Sequence, residues 1–136
     1  VHPEAEDMLS KASMSAAFFG LKMPSPPAPD LYLKEGMKLN VGDLELEVLY
    51  TPGHAPGHVS FYLPSFNLLF DGDVLFNGGI GRTDFAGGDY ETLMDTIKSK
   101  FLTLPDETRV FSGHGPATTI GEERLHNPFL QDLTAP

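Results

Sequence analysis

The sequence predicts a mixed α/β domain, and three observations support that prediction. Apolar and polar residues alternate with period two in consecutive segments, which is the pattern of half-buried β-strands. Residues 90–101 instead repeat their apolar side chains at helical spacing. The chain has 136 residues, 40% of them hydrophobic, which fits one folded domain and excludes two full domains.

The first thirty residues predict one short helix followed by a loop. Pro3 stands at an early helical position, where its missing N–H costs no hydrogen bond, and acidic residues between Glu4 and Asp7 favour the positive end of the helix dipole. Four prolines between Lys22 and Asp30 exclude a helix or a central strand. We expect an exposed surface loop there, since too few residues precede it for it to link two domains.

Three short strands come next. Residues 44–50 alternate apolar and acidic positions, so one face is dry and the other wet. A turn-rich segment, residues 51–57, separates them from a second alternating run at residues 59–63, and a third short run covers residues 67–70. Because these strands are consecutive, we expect an antiparallel meander.

The second half of the chain predicts a helix, a strand and a short terminal helix. Residues 78–88 are a glycine-rich loop, and Asp89 stands at the N-cap position of the helix over residues 90–101. Residues 109–111 form the last predicted strand, and a short helix is expected around residues 121–125.

Composition excludes several classes of function. Nine Lys and Arg residues against nineteen Asp and Glu residues give a net charge of -10, which repels phosphate backbones and anionic lipids, so we expect no nucleic-acid or membrane partner. The absence of Cys excludes disulfides, thiolate metal sites and a Cys nucleophile. The sequence shows neither a long apolar run nor a signal-peptide pattern, which predicts a soluble cytoplasmic protein.

Three polar residues stand where predicted strands end or glycine-flanked loops begin: His54, Asp73 and His114. Strand ends hold side chains rigidly, and two imidazoles with one carboxylate suit zinc or iron. Alternatively, each histidine is a hydrogen-bonded turn residue, and Asp71 and Asp73 cap a turn. A calcium loop is disfavoured, because apolar residues follow Asp73 where further oxygen ligands would be needed.

Four segments carry a resemblance to a known family: TPGHAPGH at 51–58, FDGDVLF at 70–76, GGIGRTD at 78–84 and FSGHG at 111–115. In order and spacing they resemble the later motifs of the metallo-β-lactamase superfamily. The resemblance covers nearly the whole chain and is greatest to the small glyoxalase II-like hydrolases, also called hydroxyacylglutathione hydrolase-like enzymes. Several motifs in the right order are more specific than any one of them.

The resemblance implies an α/β/β/α sandwich with two divalent metal ions at one edge of its packed sheets. The ions would be zinc, with iron or manganese as alternatives. By match to the family motifs, His54 would bind the first metal, Asp73 would bridge both and His114 would bind the second. A hydroxide between the metals would attack the carbonyl of a small ester or thioester.

One departure limits the resemblance: the superfamily's His-x-His-x-Asp-His signature does not occur in residues 1–136. It should lie before His2. The resemblance therefore implies that residues 1–136 are the C-terminal half of the sandwich, with an incomplete metal site and no activity alone. The missing N-terminal half or a second chain would be its partner. We expect such a half to expose the apolar faces of its strands and of the 90–101 helix.

The remaining histidines and Arg82 are not expected to bind metal. His58 follows His54 at a spacing that suits metal ligands only on a helix, and the family resemblance makes it an orienting residue and not a ligand. Arg82 matches a basic position near the substrate carboxylate of glyoxalase II enzymes; alternatively it forms a surface pair with Asp84. His2 and His126 are expected to be structural or solvent-exposed.

The leading functional prediction is therefore the C-terminal part of a metal-dependent hydrolase of small esters or thioesters. One alternative is an iron-dependent persulfide dioxygenase of the same superfamily, since the visible motifs are shared. A second alternative is a non-catalytic domain that keeps these motifs for structure and binds a partner chain through its exposed core face.

Overall fold

The computed structural model describes residues 1–131, so the last five residues of the predicted 1–136 domain lie outside the described residues. The strands are β1 (Lys38–Val41), β2 (Leu44–Tyr50), β3 (Val59–Leu63), β4 (Leu68–Gly72), β5 (Leu75–Phe76), β6 (Gly79–Ile80), β7 (Arg109–Ser112) and β8 (Thr118–Thr119). The helices are α1 (Glu6–Ser10), α2 (Ala12–Phe18), α3 (Tyr90–Thr96) and α4 (Ile120–His126). Short 3-10 turns cover Pro3–Ala5 and Pro64–Phe66, and a π-helical turn covers Ile97–Phe101.

Six strands form one sheet in the order β1-β2-β3-β4-β7-β8. Strands β1 to β4 are an antiparallel meander, which confirms the prediction for β2 to β4. Strand β7 pairs with β4 in parallel, and β5 and β6 form a separate two-stranded hairpin. The parallel pairing and the strands β1, β5, β6 and β8 were not predicted from the sequence. The mixed α/β class is confirmed.

One face of the sheet packs against the helices and forms the core. Leu69 and Val110 on neighbouring strands are fully buried, together with Leu93, Ile97 and Phe101 from α3 and the turn after it. The prediction that the apolar face of the 90–101 helix is exposed is therefore wrong. This helix covers its own sheet, because the β4-to-β7 connection that contains it must return across that face to keep the two strands parallel.

The opposite face of the sheet presents a row of aromatic residues. Phe61 pairs with Phe70 across β3 and β4, and Phe70 pairs with Phe111 across β4 and β7, so the three side chains share one face. The rings of Phe70 and Phe111 stack with centroids 5.6 Å apart, and Phe70 is 43% exposed. The expected exposure of an apolar strand face is thus confirmed for this face.

Helix boundaries follow local signals. The Asp89 carboxylate accepts the backbone N–H of Thr92 at 2.8 Å, which is the predicted N-cap. After Thr96 the helix widens into the π-helical turn, where the N–H of Leu102 donates to the carbonyl of Ile97. At the N-terminus the helical region continues to Phe18, well beyond the single short helix that was predicted. The predicted loop between residues 22 and 30 has no helix or strand.

Candidate metal site

Three strands bring His54, Asp73 and His114 to one edge of the sheet. Strands β2, β4 and β7 run in the same direction, since β2 and β4 are each antiparallel to β3 and β7 is parallel to β4. Their carboxyl ends therefore meet, and the three residues follow those ends directly or by a short turn. All three line one pocket of about 450 Å³.

Asp73 lies between the two histidines. Nε2 of His54 is 3.7 Å from Oδ2 of Asp73, and Nδ1–H of His114 donates to Oδ1 at 2.8 Å. The side chains of His54 and Asp73 are 18% and 29% exposed, whereas that of His114 is 79% exposed. The pair His54 and Asp73 is therefore held inside the pocket, and His114 stands at its open rim.

The orientation of His54 is set by a backbone carbonyl. Its Nδ1–H donates to the oxygen of Arg82 at 2.8 Å, which places the lone pair of the neutral imidazole on Nε2, toward Asp73. Residues 81–84 can approach this closely because residue 81 is glycine. A β-carbon there would collide with the backbone of Asp73 and contact His54 at 3.5 Å.

His58 lies behind the pocket and contacts the backbone of Asp73. A chain of hydrogen bonds decides the tautomer of His58. Ser60 Oγ donates to the carbonyl of Asp71, so the hydroxyl of Thr51 donates to Ser60 Oγ. Thr51 Oγ1 then accepts the proton of His58 Nδ1–H. His58 Nε2 is then left to accept the N–H of Asp73, at 3.4 Å. Burial lowers the pKa of His58, and the neighbouring His54 lowers it further. A neutral His58 thus holds the main chain at Asp73.

Asp71 is buried under the same turn. Its Oδ2 accepts the N–H of Leu75 at 2.7 Å, so the side chain closes the turn that places Asp73 at the pocket. Burial raises the pKa of Asp71 to about 7, against the opposing effect of the Leu75 hydrogen bond. Asp71 therefore caps the turn, as the alternative prediction for Asp71 and Asp73 had it. Asp73 does not follow that alternative, because its carboxylate faces the pocket.

Arg82 lines the pocket and is paired at the same time. Its Nε and Nη2 groups donate to the two oxygens of Asp84 at 2.7 and 2.6 Å, and its Cζ lies 3.9 Å from the centroid of the Phe85 ring. The guanidinium lowers the pKa of Asp84 to about 2. The surface pair that was considered as an alternative is therefore present, on a residue that also faces the pocket.

One side of the pocket is an apolar wall formed by Phe76, Ile80 and Phe85, which was not predicted from the sequence. The rings of Phe76 and Phe85 meet His114 and His54 edge-on, with centroids 6.3 and 6.4 Å apart. All three apolar residues lie within or beside the motifs around Asp73 and Arg82, and that proximity in sequence was the available signal. The wall makes one side of the pocket suitable for an uncharged group of a ligand.

A buried glutamate, also missed, holds the β5–β6 hairpin that forms this wall. Glu123 in α4 is 2% exposed and accepts from Gly78 N–H at 2.9 Å, Asn127 Nδ2 at 2.7 Å and Thr118 Oγ1 at 2.5 Å. Asn127 also donates to the carbonyl of Gly79 at 3.0 Å. No sequence signal separates Glu123 from its exposed neighbour Glu122, because both suit the first turn of a helix.

The two terminal histidines lie outside the pocket. His2 stacks on Tyr50 with ring centroids 4.4 Å apart, and its Nδ1 accepts the N–H of Glu4. His126 is 4.0 Å from the carboxylate of Glu122 on α4.

The donor types at the pocket suit a divalent metal, since a neutral imidazole and a carboxylate are borderline ligands for zinc and iron. The free Nε2 of His54 and the adjacent Oδ2 of Asp73 are the best-placed donors. Within residues 1–131, no group of three or more His, Cys, Asp or Glu side chains is arranged to hold a metal ion by itself. The residues thus fit the metal in type and supply part of a ligand set.

The part of the chain that the structure describes has no helix with the length and hydrophobicity needed to cross a bilayer.

Comparisons with known proteins agree with this geometry. Residues 1–114 match the metallo-beta-lactamase superfamily. The chain is 47% identical over 136 aligned residues to the probable metallo-hydrolase YqgX of Bacillus subtilis, covering 98% of this chain and 64% of that protein. It is 48% identical over 113 residues to the hydroxyacylglutathione hydrolase GloC of Haemophilus influenzae, covering 82% of this chain and 53% of that protein.

A solved structure gives the same result for the fold. The crystal structure of TTHA1623 in a di-iron-bound form superposes with a TM-score of 0.86 at 45% identity, covering 96% of this chain and 63% of that one. The chain thus spans between half and two thirds of the length of these relatives. Its fold, its ordered motifs and these matches together show that the chain belongs to the metallo-β-lactamase superfamily.

Proposed function

We propose that this chain is the C-terminal part of a metal-dependent hydrolase of small esters or thioesters. The observation that supports the proposal most directly is the convergence of His54, Asp73 and His114 at the carboxyl ends of three strands, around one pocket. Two of the relatives named above are a probable metallo-hydrolase and a hydroxyacylglutathione hydrolase. The latter acts on a thioester, which supports this substrate class for the present chain.

His54, Asp73 and His114 would hold two divalent metal ions. The two oxygens of Asp73 already face different histidines, which suits a carboxylate shared between two ions. When bound, such ions lower the pKa of water and polarise a carbonyl, which is the chemistry that ester hydrolysis needs. Zinc is our first choice and iron or manganese the alternatives; iron gains support from the di-iron form of TTHA1623.

The protein groups around these donors would orient them and receive the substrate. The Arg82 carbonyl fixes the tautomer of His54, and His58 holds the backbone of Asp73. Phe76 and Ile80 provide an apolar surface beside them, and Arg82 would face a polar group of the substrate at the rim.

Further metal ligands and a cover for the aromatic sheet face would come from an N-terminal part of the protein or from a second chain. The relatives extend beyond the region matched here. The row of Phe61, Phe70 and Phe111 is apolar, partly exposed and in register, as expected for a face that packs on a second sheet.

Native mass spectrometry of the purified protein tests this proposal, followed by assays of the metal-loaded sample. We expect this chain bound to a further polypeptide segment with about two metal ions per complex, and hydrolysis of an S-acyl thioester. Metal-dependent oxygen consumption with a persulfide, without thioester hydrolysis, would favour the dioxygenase alternative. This chain alone or as a dimer, without affinity for zinc, iron or manganese, would favour the non-catalytic alternative.

A further inference from the structure

Arg82 is the residue in the pocket with a permanent positive charge. Among the lining residues that the structure describes, the other ionisable groups are His54, Asp73 and His114. A substrate that carries a carboxylate would therefore be drawn to Arg82, because a planar guanidinium binds a carboxylate through two parallel hydrogen bonds. Whether a substrate carboxylate can bind Arg82 depends on the contacts that the guanidinium already makes.

Asp84 already makes that two-bond contact. The Nε and Nη2 groups of Arg82 donate to Oδ1 and Oδ2 of Asp84 at 2.7 and 2.6 Å, which is the geometry that a substrate carboxylate would adopt. One face of the guanidinium is covered by the Phe85 ring, at 3.9 Å. The Nη1 edge remains, on a group whose charge Asp84 balances.

Arg82 and Asp84 are two residues apart and both are exposed, so another carboxylate can displace Asp84 from Arg82. The side chains of Arg82 and Asp84 are 59% and 66% exposed, and exposed ion pairs contribute little to stability. A second carboxylate could therefore compete with Asp84 at a modest cost. The competition is unequal, because Asp84 is tethered two residues away and its effective concentration is high.

We propose that Asp84 sets the substrate preference of this pocket: by occupying Arg82, it favours substrates that are uncharged at the rim over substrates that carry a carboxylate there. That the competing carboxylate belongs to a substrate rests on the proposed function. The competition between Asp84 and an external carboxylate for Arg82 is a property of the metal-free chain. Changing Asp84 to Asn keeps the size of the side chain, removes its charge and frees Arg82 for an external carboxylate.

The test is an NMR titration of the full metal-free chain with sodium butyrate, observed at the arginine Nε–H groups. The sequence has only three arginines, Arg82, Arg109 and Arg124, so three such signals are expected. We expect the Arg82 signal of Asp84→Asn to titrate at about two- to fivefold lower butyrate concentration than that of the unchanged protein.

Asp106→Asn is the matched control. Asp106 accepts from Nε of Arg124 at 3.0 Å and is 67% exposed, compared with 66% for Asp84, so this variant makes the same change of net charge at an equally exposed aspartate that pairs with an arginine outside the pocket. It should leave the Arg82 titration unchanged. The double variant Arg82→Gln with Asp84→Asn should lose the gain, measured by the backbone signals around the pocket.

The proposal is overturned if Asp84→Asn and the unchanged protein titrate at the same concentration, or if Asp106→Asn produces the same gain. In the metal-loaded enzyme, Asp84→Asn should lower KM for a carboxylate-bearing thioester more than for a neutral one. Absence of all hydrolysis would contradict the proposed function. It would not affect the butyrate titration, because that experiment uses the metal-free chain.

Discussion

A β-carbon built on Gly81 would lie 1.9 Å from the backbone oxygen of Asp73. The two residues are this close because Gly81 N–H donates to the carbonyl of Val74 at 3.0 Å, which joins the loop before Arg82 to the turn after β4. The same approach places the Arg82 carbonyl on His54. The orientation of His54 and the position of Asp73 therefore both depend on residue 81 being glycine.

Gly81→Ala should destabilise the fold by about 3 kcal/mol, because the new methyl group must displace backbone and not a flexible side chain. Chemical denaturation monitored by circular dichroism measures the effect. Gly79→Ala is the control: it lies in the same hairpin region, and its β-carbon would meet only Phe76, at an ordinary distance of 3.8 Å. Equal losses in the two variants would contradict the role of the close approach.

If the proposed function holds, Asp73→Ala should abolish the esterase activity of the metal-loaded protein, with a loss of about a hundredfold or more in metal affinity, and leave the fold mostly intact. The reason is that Asp73 is the carboxylate that both histidines face. Equilibrium dialysis against zinc and iron, together with a thioester assay, measures both effects. Asp95→Ala on the exposed side of α3 serves as the control and should change neither. Full activity of Asp73→Ala would refute its assignment as a shared ligand.

The pKa of the Asp84 carboxyl should be about 2, compared with an ordinary value of 3.8, chiefly because of its hydrogen bonds from Arg82. A depressed pKa means that the pair contributes stability above the ordinary value and that this contribution is lost as the pH falls through about 2. Carboxyl-detected NMR titration measures the value. In Arg82→Gln, Asp84 should titrate close to an unpaired aspartate, and an unchanged low pKa there would show that another group holds it.

Glu123→Ala should destabilise the protein by about 3 kcal/mol, because it leaves the buried side chains of Asn127 and Thr118, as well as the N–H of Gly78, without their acceptor. Glu122→Ala changes the neighbouring, exposed glutamate and should cost less than about 0.5 kcal/mol. Thermal unfolding of the pair gives the comparison. If the two variants unfold at the same temperature, the buried network does not hold the hairpin as described.

The elements that could be predicted from sequence are those whose evidence is local. The alternation in residues 44–50 and the helical repeat in residues 90–101 arise from side chains a few positions apart, and Asp89 caps a helix that starts at the next residue. Strand β1 was not predicted because its four residues, two polar and two apolar, are too short a stretch to establish an alternating pattern. Strands β5 and β8 have only two residues each, so their pairing depends on contacts that a local pattern does not contain.

The sequence by itself determined the residue types at the candidate site and their places at strand ends: two imidazoles, one carboxylate and an arginine beside an aspartate. Only the tertiary structure decided that β7 lies parallel to β4, and so that His114 reaches Asp73. It also decided that the 90–101 helix buries its apolar face and that Glu123 is a buried acceptor. The physical reason is that residue types and short periodicities are properties of neighbours along the chain, whereas burial and pairing depend on groups that meet only when the chain folds.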